Sequence, residues 1–309
     1  MSGITFGMSA NAFKTALDNI VDMTMKADLE DKQRAHASDE LLFKQKPVDR
    51  MSEIVELFQG TGLFQLTGEQ AATNLASPRV GNQKVINQSK YTNGFNISFE
   101  AKTSDIHAVY GKATASLALN ALVSQDTNAL QQYSLGFTTV LAPDGVALFS
   151  NSHVSLSGDT VDTLEAATAY SETTMYNMVV NLGNQLNQDG VKVGYKPKVL
   201  LVPLRLLKTA MEVTKSVLRA GTANNDLNYF SEAYPGLEVR YSPLLDTSST
   251  TAYFLMSDNH GMTRFVHTPV TTALTEWQNT DTADYRYRAL YMEAVAPVEY
   301  SGMVGSVGA

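Results

Sequence analysis

Cysteine is absent from the 309 residues, which removes disulfides, thiolate metal sites and cysteine nucleophiles together. Charge is scarce as well: Asp, Glu, Lys and Arg make up 17% of the chain, against an average near ~25%. With 23 Lys and Arg against 31 Asp and Glu the formal charge is −8, and no basic block stands out. Such a chain has little with which to neutralise phosphates, so it is expected to surround a nucleic acid rather than grip it. No apolar run reaches the length of about 18 residues that a membrane span requires, and Met1 to Met8 carries no Lys or Arg before its apolar residues. Neither a membrane span nor a secretory leader is expected.

What the chain does have is length and neutral polarity. At roughly 150 residues per domain it has room for about two domains, and hydrophobic residues supply 44% of it. Asn, Thr, Ser and Ala fill much of the remainder, a surface composition suited to contact with other protein.

The hydrophobic spacing changes along the chain. Phe13, Leu17, Ile20, Val21 and Met25 recur at helical intervals and predict an amphipathic helix within residues 9–34. Ile54, Val55, Leu57 and Phe58 read as a short helix that stops at Gly60, so residues 1–60 form an arm rather than a domain. Lys84 to Gln88 and Phe95 to Glu100 read as strands, with Asn93-Gly94 as the turn before the second. Residues 70–102 thus read as a long hairpin too poor in apolar residues to fold alone. Thr103-Ser104-Asp105 caps a long Ala-rich helix reaching about Gln132, a spine on the order of 40 Å.

Ser171 caps a helix through Met175, Met178, Leu182 and Leu186. Val199-Leu200-Leu201-Val202 is a buried strand ending at Pro203, followed by a helix from about Leu204 to Ala220 with Gly221 as its stop. Val239 to Tyr241 and Tyr253 to Met256 are further strands. Arg264 to Trp277 and Tyr285 to Val295 form a late antiparallel pair, and residues 301–309 read as a Gly-rich unstructured tail.

Reactive chemistry is hard to place. Gly60-Thr61-Gly62 and the tail glycines lack the spacing of a phosphate-cradling loop, and the five histidines show no metal-ligand spacing. Ser150-Asn151-Ser152-His153 and Asp258-Asn259-His260-Gly261 hold catalytic residue types, but neither sits in a nucleophile-elbow frame, and turn formation accounts for both. No catalytic, metal or cofactor-binding residue is expected, and the chain is read as a non-enzyme. Tyr285, Tyr287 and Tyr291 alternate with Arg286 and Arg288 as sheet packing or an intersubunit contact would require. Arg79, Lys84, Lys90, Tyr91, Arg286 and Arg288 are the candidate intersubunit residues.

The order of these elements resembles the major capsid proteins of tailed phages, an α+β fold of the Hong Kong 97 type. Asp144-Gly145-Val146-Ala147-Leu148-Phe149 with His153, then Lys196 through Pro203, then Gly221-Thr222 with Asn224 and Asn225, are similar to phage Mu-like head subunits. The resemblance implies an N-arm at 1–60, an extended loop at 70–102, a peripheral domain at 103–140 with 265–300, and an axial domain at 141–264, with 301–309 as the C-terminal tail. It implies an icosahedral virion shell of hexamers and pentamers around double-stranded DNA, assembled in the host bacterial cytoplasm without a membrane. Partners would be a portal, a decoration protein and, because the arm is too short to hold one, a separate scaffolding protein. Two rival readings are an encapsulin-type nanocompartment shell and a hydrolase built on the His153 or His260 loops.

Overall fold

A computed structural model describes residues 10–28, 30–31, 33–98, 100, 109–217, 227–275 and 284–309. The chain begins with helix α1 (Ala10–Asp28), strands β1 (Lys44–Pro47), β2 (Ser52–Gln59), β3 (Arg79–Asn87) and β4 (Ser89–Ile97), and the long helix α2 (Val109–Ser134). Next come β5 (His153–Val154), β6 (Thr160–Val161), β7 (Leu164–Glu165), helix α3 (Glu172–Asn184) and β8 (Pro197–Pro203). Helices α4 (Leu207–Lys215) and α5 (Tyr229–Ala233) precede β9 (Glu238–Ser242), α6 (Leu245–Ser248) and β10 (Tyr253–Ser257). The chain closes with β11 (Met262–Thr275), β12 (Tyr285–Pro297) and β13 (Met303–Ser306).

One core is built on a five-stranded sheet in the order β7-β13-β10-β8-β9. Its central strands are buried on both faces, which is why Val199 to Val202 reads as an unbroken apolar run. Alternation divides the side chains. Leu200, Val202, Tyr253, Leu255 and Val304 pack with Met175, Met178 and Leu182 of α3. Val199, Leu201, Phe254, Met256 and Met303 pack on the other face with Leu42, Phe43, Tyr133 and Phe149. Helix α3 starts where expected, with Ser171 and Thr174 closing a reciprocal capping box.

The second sheet has the order β1-β11-β12-β4. Strand β12 alternates buried Tyr285, Tyr287, Ala289 and Tyr291 with exposed or half-buried Arg286, Arg288 and Leu290. The tyrosine face packs against Leu17 of α1 and Leu117 of α2, so it is a packing face of this chain's own core. Helix α2, 26 residues long, spans about 39 Å at ~1.5 Å per residue.

Several local expectations are corrected. Ile54 to Phe58 lies in strand β2, because the segment pairs antiparallel with β3 and alternates its burial. Asn93-Gly94 is inside β4, opposite Ala289 and Arg288 of β12, and is not a turn. The glycine is there for close approach: a Cβ on Gly94 would sit 2.6 Å from the Tyr287 carbonyl. The hairpin is therefore formed by β2 and β3, while β4 belongs to the second sheet. The tail is not loose: β13 pairs with β10 on one side and β7 on the other, and Gly305 lies where a Cβ would meet the Phe149 ring at 2.8 Å. Within 150–162, β5 and β6 form a two-residue ladder. The helix after Pro203 opens as a 3-10 turn and ends at Lys215. The Thr103 to Asp105 cap and Gly221 lie outside the described residues.

Candidate assembly surfaces

The β2–β3 ribbon has two apolar faces, and the chain covers only one. Val55, Leu57 and Ile86 are buried, Val55 and Ile86 against Phe265 and Ala296 of the second sheet. On the outer face Ile54 pairs with Val85 and Phe58 with Val80, and these four side chains are 53–59% exposed. The ribbon's base is fixed. The Gly60 N–H donates to Asp189 Oδ1 at 2.6 Å, and Arg79 donates to Gln59 Oε1 at 2.7 Å and to the Leu156 carbonyl at 3.0 Å.

Beyond the base, residues 61–80 are all exposed. Phe64 and Leu66 are as accessible as in an extended peptide, at 106% and 104%, and Leu63 and Leu75 follow at 73% and 86%. A turn closes at Gly68, whose carbonyl accepts from the Ala71 N–H at 3.1 Å. Gln70 takes a φ of 61° there, a left-handed conformation unusual for a side chain larger than glycine. Glu69 occupies the corner beside it and is the single charged residue between Thr61 and Pro78.

The second surface is the outer face of the β1-β11-β12-β4 sheet. The ribbon covers one end of it at Phe265 and Ala296. The open end is a groove lined by Lys90, Thr92, Gly94, Arg286, Arg288 and Leu290, with no carboxylate among the described residues of its lining. Arg288 lies over Gly94 and donates to Thr275 Oγ1 at 2.9 Å.

The six residues singled out from sequence thus separate. Lys90, Arg286 and Arg288 share this exposed groove. Arg79 holds the ribbon base. Lys84 turns inward beneath the ribbon, its Nζ donating to the Leu141 carbonyl at 2.6 Å, and burial pushes its ammonium below the ordinary lysine value. Tyr91 stacks on Tyr291 with ring centroids 4.9 Å apart, on the α2 side of the sheet. Residues 61–69 lie outside the extended loop expected at 70–102; their signal is the Leu63-Phe64-Gln65-Leu66 cluster bracketed by Gly62 and Gly68.

Buried polar contacts tie the segment before β1 to helix α2, and β11 to β12. His36 Nδ1 meets Asp126 Oδ2 at 2.8 Å, and Asp126 Oδ1 accepts the Ala37 N–H at 2.7 Å. Arg264 Nε donates to Glu293 Oε2 at 2.8 Å. Burial raises the Glu293 carboxyl, and the Arg264 guanidinium offsets only part of that.

The histidine loops are structural. His153 is buried, with Nδ1 at 2.6 Å from Asp144 and Nε2 at 3.1 Å from the Leu148 carbonyl, and its ring stacks on Tyr300 at 4.2 Å. Both nitrogens are engaged, so neither is left to activate a nucleophile. His260 is buried and accepts the Met262 N–H at 3.2 Å. Burial, with Lys44 nearby, holds its pKa down at about 4. Among the described residues no group of three or more His, Asp or Glu is placed to hold a metal, and no helix is long and apolar enough to cross a membrane.

Comparison with known proteins places this geometry. A family model described as phage capsid protein matches residues 81–306. No curated protein matches the chain. Among solved structures, the capsid of a native GTA particle aligns over 88% of this chain and 90% of its own at 12% identity, with a TM-score of 0.57. The mature capsid of bacteriophage PhiM1 aligns over 85% of both chains at 10% identity and a TM-score of 0.56. A virus-like particle from Pyrococcus furiosus aligns over 95% of this chain and 99% of that one at 10% identity and a TM-score of 0.55. The chain belongs to the phage capsid protein family, has the Hong Kong 97-type fold, and is a structural head protein of the virion rather than an enzyme.

Proposed function

We propose that this protein assembles with copies of itself, as pentamers and hexamers, into an icosahedral shell that encloses double-stranded DNA. The observation that carries the reading is the β2–β3 ribbon. Its outer face and its whole loop expose large apolar side chains that this chain does not cover, a pattern that marks a protein contact surface. Family membership supports a shell as the destination of that contact.

In this reading the extended loop is the ribbon and its tip, residues 52–87, and the arm is the segment before it. The peripheral domain is α2 with the four-stranded sheet, now including β4, and the axial domain is the five-stranded sheet with its helices, now including β13 from the tail. Lys90, Arg286 and Arg288 are the exposed contact residues, while Arg79, Lys84 and Tyr91 shape the surface from within. The −8 charge suits a wall that encloses DNA without sequence-specific binding. Scaffolding, portal and decoration proteins would be separate chains, and assembly would occur in the host cytoplasm.

A nanocompartment shell is the second reading, favoured by the fold likeness to the Pyrococcus furiosus particle. Size-exclusion chromatography with negative-stain microscopy tests assembly: closed particles or ring-shaped capsomers are expected, and a monomer that stays folded and unassociated at high concentration would refute it. Nuclease-protected DNA inside native particles selects the capsid; a protein cargo without DNA selects the compartment.

A further inference from the structure

Where β3 runs into β4 at the root of the ribbon, a cavity of about 180 Å³ lies between that junction, helix α2 and strand β12. A water-sized sphere needs ~10–15 Å³ of such space, so an ion with part of its hydration shell fits. Ser89 of β4, Asn128 and Gln132 of α2 and Glu293 of β12 put polar groups on its wall, and no Lys, Arg or His is among the described residues of the lining. What these groups offer is acceptors. Glu293 is 2% exposed, and its Oε2 takes the Arg264 and Gln125 donors while Oε1 is buried with no hydrogen-bond partner among the described residues. The Asn128 amide donates to the Tyr291 hydroxyl at 3.4 Å, and the Gln132 amide donates to the Asn128 backbone carbonyl at 3.2 Å, so in each the oxygen is the end left over. Asp126 is close enough to Glu293 to repel it, and the two carboxylates stand against the single guanidinium of Arg264. A buried carboxylate oxygen without a donor is costly, and a cation removes that cost.

We infer that this cavity binds one alkali metal cation, sodium or potassium, through Glu293 Oε1, the Asn128 and Gln132 amide oxygens and the Ser89 hydroxyl. Oxygen donors alone suit a hard cation. Tight capture of a divalent ion uses several carboxylates, whereas this wall supplies one carboxylate oxygen whose twin is already claimed by Arg264. The ion joins β4, α2 and β12, so it braces the root of the ribbon against the long helix. It acts within one subunit and does not depend on the shell reading.

The test follows melting of the unassembled subunit as sodium or potassium chloride replaces choline chloride at constant ionic strength, the quaternary nitrogen of choline being unable to take oxygen ligands. The melting temperature should rise by about 2–4 °C and saturate with one midpoint, as a ligand of the folded state requires. Gln132→Leu, which leaves the Arg264–Glu293 pair intact, should at least halve the rise, and Glu293→Gln should abolish it. Circular dichroism checks that each variant folds, and Asn128→Leu replaces Glu293→Gln if the loss of the Arg264 partner prevents folding. Equal melting of the parent in all three salts, or a rise undiminished in Gln132→Leu, would overturn the site. So would millimolar calcium or magnesium producing the full rise in choline chloride, because the cavity would then be a divalent site.

Discussion

Asp18 of α1 accepts the Tyr287 hydroxyl of β12 at 2.7 Å across 269 positions of sequence, and the same oxygen accepts the Thr272 hydroxyl at 2.5 Å. Lys14 pairs with its other oxygen. Burial raises this carboxyl, but the donors together outweigh that and hold it below the ordinary aspartate value. A helix with few apolar anchors is thereby fastened to the second sheet. Asp18→Ala leaves two donors without their acceptor and should cost about 1–3 kcal/mol in denaturant unfolding, with faster proteolysis of the arm. Because the folded pKa is depressed, this stabilisation should be present above the unfolded aspartate value and fade as pH falls through the folded one. An Asp18→Ala subunit as stable and as protease-resistant as the parent would show that the arm is held elsewhere.

His260 gives a pH signature of its own. It is buried and its pKa is lowered to about 4 from 6.5. The unfolded chain therefore binds a proton that the folded chain excludes between those values, and stability should decline as pH drops from about 6.5 towards 4. At ~1.36 kcal/mol per pKa unit the full effect is on the order of 3 kcal/mol. His260→Gln, which can still accept the Met262 N–H, should flatten the curve across that window. An unchanged slope in the variant would assign the acid sensitivity to other groups.

Lys84 bears on whether subunits become covalently joined. Its amine is occupied by the Leu141 carbonyl of its own chain beneath the ribbon, and Lys90 is exposed. Mature particles boiled in detergent should run as single 33.6 kDa chains. A ladder of multimers abolished by Lys84→Ala or Lys90→Ala would demonstrate a cross-link.

The ribbon tip should matter to assembly and little to folding. Replacing residues 61–78 with a short Gly-Ser turn removes only exposed side chains and keeps the β2–β3 ladder. The unassembled subunit should melt within a few degrees of the parent while shells fail to form. Loss of the folded subunit would place the tip in the core.

The sequence made some of this architecture legible and hid the rest for physical reasons. Val199 to Val202, the α3 cap at Ser171 and the alternation of Tyr and Arg in β12 could be read because local pattern and tertiary burial agree there. Ile54 to Phe58 misled because four apolar residues in five fit a helix as well as a strand, and only the distant partner β3 decides between them. Asn93-Gly94 has the composition of a turn, but its glycine answers to the Tyr287 carbonyl, a neighbour nearly 200 positions away. The tail looked unstructured because Gly302, Gly305 and Gly308 carry no side-chain pattern; what fixes the strand is space beside Phe149 and Thr251. Of the contact residues, Lys90, Arg286 and Arg288 were visible as exposed charge on strands. Residues 61–69 were not, because their apolar residues follow neither period.

The most direct measurement is a cryo-electron microscopy map of the assembled protein at a resolution that traces side chains. The account predicts a closed shell in which the exposed apolar side chains of residues 61–80 are covered by neighbouring subunits. No closed particle, or a particle in which those side chains stay open to solvent in every subunit, would contradict it.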